Sequence, residues 1–368
     1  MTLTHQHNAS VDVDQYDPEP VRDEARNLLD GLRDGAWLDQ QTFPPLRYAV
    51  PGVLPEGFAL LVGPPKAGKS WMVLDLALAV AAGGRALGNI AVGAARPVLY
   101  LALEDGHRRM QARCRELLGA EPIPARFEYL TRIQPGRVVD TVRTWLALRT
   151  EQDTAPVVIL DTLGKVMPPA VGGESAYQRD YRVGSGLKRV VDDFPGASLV
   201  VIHHDRKATS DDFVESVSGT NGLAGAADTV IVLVRPRGES GGTLKVTGRD
   251  VTEADYALTM AGGTTWRLDG ANLDAAAATA DTRKASDGLG DRSTEIVRVI
   301  GQHPDGIGPT KLGALIGVEA KHAGEYLRRL ADAGRVVKTG RGVYRSPRTP
   351  VETVESVEPD PPKLGVVS

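Results

Sequence analysis

The chain has 368 residues, a net charge of −4, 42% hydrophobic and 24% charged residues, which suggests about two globular domains and excludes a wholly disordered protein. No uncharged apolar run reaches the roughly 18 residues of a membrane span, and the polar, acidic first 17 residues do not resemble a signal peptide. We therefore expect a cytoplasmic protein without a membrane partner. The single cysteine, Cys114, excludes an internal disulfide and a cysteine-rich zinc site.

The first 44 residues are predicted to be a disordered arm followed by a short amphipathic helix. Residues 1–20 lack apolar periodicity, whereas apolar residues recur at helical spacing between Val21 and Leu38 with acids among them. The apolar stripe of this helix could pack on its own domain or on a neighbouring subunit, and the sequence favours neither.

Residues 45–269 are predicted to form the first domain, of the α/β class. Apolar runs of strand length, without polar alternation, are separated by helix-like segments, as in a mainly parallel sheet covered on both faces. Further strands at hairpin spacing predict an antiparallel meander at the end of this domain. The runs predicted as strands are 58–62, 97–103, 157–160, 198–202, 228–234, 243–247 and 256–260, and the predicted helices are 71–82, 107–118, 138–150 and 176–191.

The first predicted strand runs directly into a G-x-x-x-x-G-K-S motif, with a helix after it. In that context the motif predicts a phosphate-binding loop, because backbone N–H groups at a helix N-terminus offer fixed positive partial charge to phosphates. Pro64 and Pro65 lack an N–H, so the donors must come from residues 66–70. We expect Lys69 to reach the β- and γ-phosphates of ATP and the Ser70 hydroxyl to bind Mg²⁺. The predicted nucleotide-binding residues are Gly63, Pro64, Pro65, Lys66, Ala67, Gly68, Lys69, Ser70 and Trp71.

Two carboxylates end neighbouring strands of the predicted sheet. Asp161 closes the apolar run Val157–Leu160 and is predicted to complete the magnesium shell. Glu104 follows an earlier strand, where a carboxylate can accept a proton from the water that attacks the γ-phosphate. Asp105 is its rival for that role, but it is also a candidate N-cap of the helix that begins near His107.

The strand that ends at Ile202 is followed by two histidines. A polar side chain at this point can form a hydrogen bond with the γ-phosphate, and His204 is the better candidate. The pair is a poor zinc site, because successive strand residues point to opposite faces of the sheet.

The ordered motifs at 63–70, 101–106, 158–163, 201–207 and 218–228 resemble those of RecA-type ATPases related to plasmid RepA hexameric helicases. The resemblance covers about residues 45–268. It implies the same roles: Glu104 as catalytic base, Asp161 in the magnesium shell and His204 as phosphate sensor.

The resemblance also implies an arginine finger that reaches the site from the adjacent subunit of a ring and lies on a late strand. Arg249 matches that place, with Arg206 and Lys207 as reserves. Relatives often carry Lys two residues before the finger, where this chain has Thr247.

Residues 270–290 are rich in small residues and are predicted to be an interdomain linker to a second domain at 291–348. In that domain, segments 293–303, 311–316 and 321–333 are predicted helices and 334–345 a hairpin, an order similar to a winged helix-turn-helix. Residues 291–349 carry eleven Lys or Arg against six Asp or Glu, so we expect DNA as the partner, with contact between proteins as the alternative. The predicted DNA contacts are Lys321, His322, Arg328 and Arg329 on the third helix, and Arg335, Lys338 and Arg341 on the wing. Residues 349–368 are predicted to be a disordered acidic tail.

Together these features predict an oligomeric, Mg²⁺-dependent ATPase that acts on DNA, with a hexameric ring as the implied assembly. The resemblance implies a replicative helicase or a DNA-remodelling motor. Two alternatives remain open. One is an ATP-switched DNA-bound regulator or recombination mediator that does not translocate. The other is a small-molecule kinase, which would leave the basic second domain without a role.

Overall fold

The computed structural model describes residues 29–134, 136–149, 155–203, 221–286 and 291–347. It comprises a small unit that ends at Pro45 and a large unit that begins at Leu46. The predicted arm and the first part of the predicted amphipathic helix lie outside the described residues. From residue 29 onward the helix is confined to α1 (Gly35–Asp39), so the prediction of a continuous helix to residue 38 is wrong there. Asp34 is the reason, because its carboxylate accepts a hydrogen bond from the backbone N–H of Trp37 and starts the helix at Gly35.

The large unit is built on a nine-stranded sheet in the order β13-β12-β11-β10-β3-β9-β8-β6-β7. The strands from β10 to β7 in this order are parallel to one another, whereas β11, β12 and β13 continue the sheet as an antiparallel meander. Two short pairs, β1 with β2 and β4 with β5, lie outside it. The strands are β1 (Tyr48–Val50), β2 (Leu54–Pro55), β3 (Gly57–Val62), β4 (Arg85–Ala86), β5 (Ile90–Ala91), β6 (Val98–Ala102), β7 (Phe127–Leu130), β8 (Val157–Asp161), β9 (Ser198–Ile202), β10 (Thr229–Val234), β11 (Gly241–Gly248), β12 (Ala254–Ala261) and β13 (Thr265–Leu268).

Helices cover both faces of this sheet and create two apolar cores. Strands β6, β8 and β9 are buried along their whole length, which is why they are continuous apolar runs. The helices are α2 (Lys69–Ala82), α3 (His107–Leu118), α4 (Val138–Ala147), α5 (Ala176–Asp192), α6 (Asn221–Ala226) and α7 (Leu273–Ser286). The predicted α/β class with a mainly parallel sheet is thereby confirmed.

Two strands of the sheet were not predicted, β7 and β13. Strand β7 is an edge strand whose Tyr129 and Leu130 are exposed, so it lacks the continuous apolar run of a buried strand. Strand β13 has four residues, of which Trp266 and Leu268 are buried, and this is too short a pattern to detect.

The segment predicted as a linker, residues 270–290, contains a packed helix where a flexible connection was expected. Residues 273–286 form α7, which packs against β12 and buries Ala276 and Ala277 in the core of the sheet. Alanine has the highest helix propensity, and its small side chain can pack closely against the sheet. The lack of large apolar residues, which suggested a linker, therefore did not prevent a packed helix.

Beyond α7 a third apolar cluster forms around Ile296, Leu312 and Leu327. It is surrounded by α8 (Asp291–Gly301), α9 (Pro309–Ile316), α10 (Ala320–Asp332), β14 (Val337–Gly340) and β15 (Val343–Arg345). We call residues 291–347 the C-terminal module. Its three helices and hairpin follow the predicted order, and its assignment as a winged helix-turn-helix stays a prediction. The acidic tail lies outside the described residues.

No helix in the described ranges has both the length and the apolar character needed to cross a bilayer.

Candidate active site

The loop between β3 and α2 carries the G-x-x-x-x-G-K-S motif and is backed closely by the meander. Gly63 and Gly68 have φ angles of +153° and +100°. A Cβ at Gly63 would clash with the carbonyl oxygen of Leu233, and one at Gly68 would lie 2.9 Å from side-chain atoms of Met260 and Trp266. Both glycines are therefore required by the strands behind the loop, in addition to the close approach to phosphate that the sequence suggested.

Lys69 begins α2 and points its ammonium group back over the loop. Its Nζ donates hydrogen bonds to the carbonyl oxygens of Gly63, at 2.6 Å, and Pro64, at 2.9 Å, and the residue is only 4% exposed. Among the expected backbone donors, the N–H of Ala67 bonds to the Pro64 carbonyl. The ammonium group could instead donate its hydrogen bonds to a phosphate oxygen. Such bonds between charged groups are stronger than those to neutral carbonyls.

Two side chains, one from the connection between β10 and β11 and one from β13, form hydrogen bonds with the loop, and the sequence analysis identified neither. Arg235, just after β10, donates to the carbonyl oxygen of Lys66 at 2.7 Å, and Trp266 Nε1 donates to that of Gly68 at 3.3 Å. Lys66 has a positive φ of +67°, which is uncommon outside glycine. Arg235 therefore stabilises the loop at its most constrained non-glycine residue.

Asp161 lies at the carboxyl end of β8, beside the loop, as predicted. Ser70 Oγ donates to one carboxylate oxygen at 3.0 Å, and the hydroxyl of Tyr100 donates to the other at 2.6 Å. Burial raises the pKa of Asp161 above its usual value, while the hydrogen bonds from Tyr100 and Ser70 and the charge of Arg113 oppose the increase.

The oxygen atoms of Ser70, Asp161 and Glu104 are of the type that Mg²⁺ prefers. In the described part of the chain, no three His, Cys, Asp or Glu side chains are grouped closely enough to hold a metal by themselves. Mg²⁺ is usually bound through one or two protein ligands together with substrate phosphates, and Ser70 and Asp161 present oxygens for such an arrangement.

Glu104 is exposed to the cavity next to β8, where Thr162 Oγ1 donates to its Oε1 at 3.3 Å. Asp105 does not cap the following helix, because the N-cap position belongs to Gly106. It is instead 8% exposed and forms ion pairs with Arg109, at 3.0 Å, and with Arg113. The capping alternative for Asp105 is therefore wrong, and Glu104 is the carboxylate left available to a substrate.

These groups line one cavity of about 400 Å³. Five of the nine predicted nucleotide-binding residues line it, and Arg113 lies against the ring of Trp71, with its Cζ 4.8 Å from the ring centroid. Gly63, Pro64, Pro65 and Ala67 shape the loop without lining the cavity. The lining residues are Lys66, Gly68, Lys69, Ser70, Trp71, Ala102, Glu104, Asp105, Arg109, Arg113, Asp161, Arg235, Met260 and Gly263.

Of the other residues predicted to take part in catalysis, only Arg249 is described, and it does not line this cavity. His204, Arg206 and Lys207 lie outside the described residues. Arg249 directly follows β11, whose Gly248 pairs with Thr229 at the start of β10. Because β10 is parallel to β3, this is the end of the sheet away from the phosphate-binding loop. The length of β10 puts Arg249 roughly 17 Å from the loop. There its exposed guanidinium lies 3.8 Å from Asp228.

The predicted DNA contacts lie on the C-terminal module, and all but one are exposed. The exception is half-buried Arg335, which donates to the carbonyl of Lys284 at the end of α7 and so helps to join the module to the helix before it. Arg329 Cζ lies 4.9 Å from the ring centroid of Tyr326, and Arg328 donates to the Gly324 carbonyl.

The site residues that sequence reasoning missed are Tyr100, Thr162, Arg109, Arg113, Arg235, Met260 and Trp266. A signal existed for Arg109 and Arg113, since they follow Asp105 at spacings of four and eight residues on one helical face. Arg235 and Trp266 reach the loop only through the meander, and no local pattern indicates that contact.

The sequence profile of the AAA domain family matches residues 23–210, just over half of the chain. None of the curated proteins compared matches it. Among solved structures, it is similar to an ATPase domain, with 12% identity, a TM-score of 0.44 and coverage of 69% of this chain and 99% of that one. It is also similar to a DnaB-like replicative helicase from a structural study of that helicase and its interactions with primase, with 13% identity, a TM-score of 0.48 and coverage of 68% of this chain and 71% of that one. At these values neither likeness bears on function.

Proposed function

The chain belongs to the AAA domain family, and from this premise we propose that it is a Mg²⁺-dependent ATPase that acts on DNA. The observation that carries the proposal is the convergence of Lys69, Ser70, Asp161 and Glu104 on one cavity. These groups come from three separate parts of the sequence, and each has the chemistry that phosphoryl transfer to water requires.

In this proposal the loop and Lys69 bind the β- and γ-phosphates of ATP, and Ser70 with Asp161 would hold Mg²⁺. When bound, Mg²⁺ supplies positive charge that stabilises the charge developing on the phosphate oxygens. Glu104 accepts a proton from a water molecule as the water oxygen forms a bond to the γ-phosphorus. The bond from that phosphorus to the bridging oxygen breaks, and ADP leaves with the electron pair. Thr162 orients Glu104 through their hydrogen bond.

The action on DNA is supported by the positive C-terminal module, whose cations on α10 and the hairpin are exposed. Phosphate contacts from such groups give affinity without sequence preference. A replicative helicase or remodelling motor is the form of this activity that the sequence favours, with a cytoplasmic location.

The test is ATP turnover with and without DNA, combined with strand displacement from a forked duplex. We expect DNA to stimulate turnover and the fork to be opened. Stimulation without displacement would replace the motor by an ATP-switched regulator. Absence of any stimulation would contradict the action on DNA and favour a kinase of a small molecule.

The hexameric ring and the arginine finger also belong to this proposal. Arg249 cannot reach the cavity of its own chain, and its exposed position would allow it to approach another subunit. Mixing Arg249→Ala with Glu104→Gln chains should restore activity, because some interfaces would combine an intact Glu104 with an intact Arg249. Mixtures that stay as inactive as the separate variants would contradict a shared site.

A further inference from the structure

Tyr100 is a polar residue in an otherwise apolar part of the sheet. It lies in the middle of β6, is 0% exposed and belongs to the core cluster on the α2 side. A buried phenol hydroxyl is costly unless it has a hydrogen-bond partner. The hydroxyl of Tyr100 has one, the Oδ2 atom of Asp161, at 2.6 Å.

The register of the sheet explains how the two groups meet. Ala102 is paired with Asp161 across the parallel ladder between β6 and β8, and Tyr100 lies two residues earlier on the same face. Because Ala102 carries only a methyl group, the longer side chain of Tyr100 can reach past it to the carboxylate. A larger residue at position 102 would occupy that path.

The carboxylate of Asp161 is consequently held by donors from two separate elements. Ser70 Oγ, on α2, bonds to Oδ1 at 3.0 Å, and Tyr100, on β6, bonds to Oδ2. Two bonds to two oxygens fix both the rotation of the carboxylate and its distance from the phosphate loop. If either hydrogen bond were lost, the carboxylate would be held by only the remaining one and could rotate.

We propose that Tyr100 is a positioning residue for the magnesium site, which holds the Asp161 carboxylate toward the metal position. The inference rests on the proposed function. Hydrogen-bond partners of metal-binding side chains commonly change metal affinity by about 10- to 100-fold when they are removed. Tyr100 does not line the cavity, so it would act through its hydrogen bond to Asp161.

The packing of the ring does not account for the hydroxyl. The Tyr100 ring lies 6.0 Å from that of Phe127 in a tilted arrangement, and a phenylalanine would keep this contact. Tyr100→Phe therefore removes the bond to Asp161 and little else.

The experiment measures binding of a fluorescent ATP analogue to the full chain, first in EDTA and then during titration with Mg²⁺. For Tyr100→Phe we expect unchanged affinity in EDTA and a Mg²⁺ midpoint raised about tenfold. In an Asp161→Asn background the same substitution should produce no further shift. The matched control is Tyr129→Phe on β7, whose hydroxyl pairs with His107 and which should leave the midpoint unchanged.

A Mg²⁺ midpoint equal to that of the wild type would overturn the inference, as would an equal loss of affinity in EDTA. If the wild-type chain bound no nucleotide at all, the proposed function itself would fall, which is a distinguishable result. Should Tyr100→Phe fail to fold, 3-fluorotyrosine incorporated at position 100 gives a second measurement. Its ¹⁹F resonance should move when Mg²⁺ joins bound nucleotide, and a resonance insensitive to Mg²⁺ would contradict the positioning role.

Discussion

The cavity between β3, β6 and β8 and the C-terminal module use their charged residues in opposite ways. In the cavity, Lys69 and Asp161 are 4% and 5% exposed and are tied to neighbours by hydrogen bonds. On the module, Lys321, Lys338 and Arg341 are exposed and are spread over a helix and a hairpin.

This difference decides how much chemistry each region specifies. Buried polar groups must satisfy one another, so their positions define a geometry that few ligands fit. Exposed cations mainly create a positive surface potential, which attracts any polyanion and does not select one ligand geometry. Substitutions in the cavity should therefore have large and separable effects, and those on the module should have small and additive ones.

The largest effect is expected for Glu104→Gln. The amide cannot accept the proton from water, so turnover should fall by about 10²- to 10⁴-fold while the affinity for ATP is retained. Steady-state kinetics and equilibrium binding measure the two quantities. Glu116→Gln, on the exposed side of α3, is the matched control. Turnover within a few-fold of wild type would remove Glu104 from the role of base.

Arg235→Ala should have an intermediate effect. It removes a charged hydrogen bond to the Lys66 carbonyl, worth about 1.5 kcal/mol, so ATP affinity should fall about tenfold. Arg237→Ala removes an exposed cation from the same connection and should leave affinity unchanged. Equal behaviour of the two variants would show that Arg235 contributes charge alone and does not shape the loop.

On the module, Lys338→Ala and Arg341→Ala should each weaken DNA binding severalfold and reduce the slope of log affinity against log salt by about one. The double variant should show the sum of the two effects. Binding titrations at several salt concentrations provide the slopes, with Arg298→Ala on α8 as the control for net charge. A slope that changes as much in the control would indicate nonspecific attraction to the whole module.

The smallest effect concerns the stability of the core. Burial raises the pKa of Asp75, on α2, to about 6, against the weaker attraction of Arg267. The folded state then binds a proton more tightly than the unfolded state, so stability declines as pH rises from about 4 to about 6. Asp75→Asn should raise the melting temperature by a few degrees at pH 8 and by less at pH 4.5. Exposed Glu253→Gln should change it at neither pH, and an equal shift in both variants would contradict the burial effect.

The sequence predicted what depends on local order and missed what depends on contacts across the fold. Asp161 was recognisable because it ends an apolar strand, and the loop at 63–70 because its motif lies between a strand and a helix. Arg335 was expected on the wing, but its bond to the Lys284 carbonyl arises only when α7 folds against the module. Likewise, Tyr100 looked like an ordinary residue of an apolar strand. Its hydroxyl meets Asp161 only through the register of β6 and β8, which the sequence does not reveal.

The most direct test of whether the loop and the neighbouring carboxylates form a nucleotide site is calorimetric titration. ATP with Mg²⁺ is titrated into the folded wild-type chain and, in parallel, into the Lys69→Ala variant. We expect saturable binding to the wild type that requires Mg²⁺ for full affinity and is weakened at least about 100-fold by the substitution. No heat of binding with the wild type, or equal binding by both proteins, would contradict that assignment.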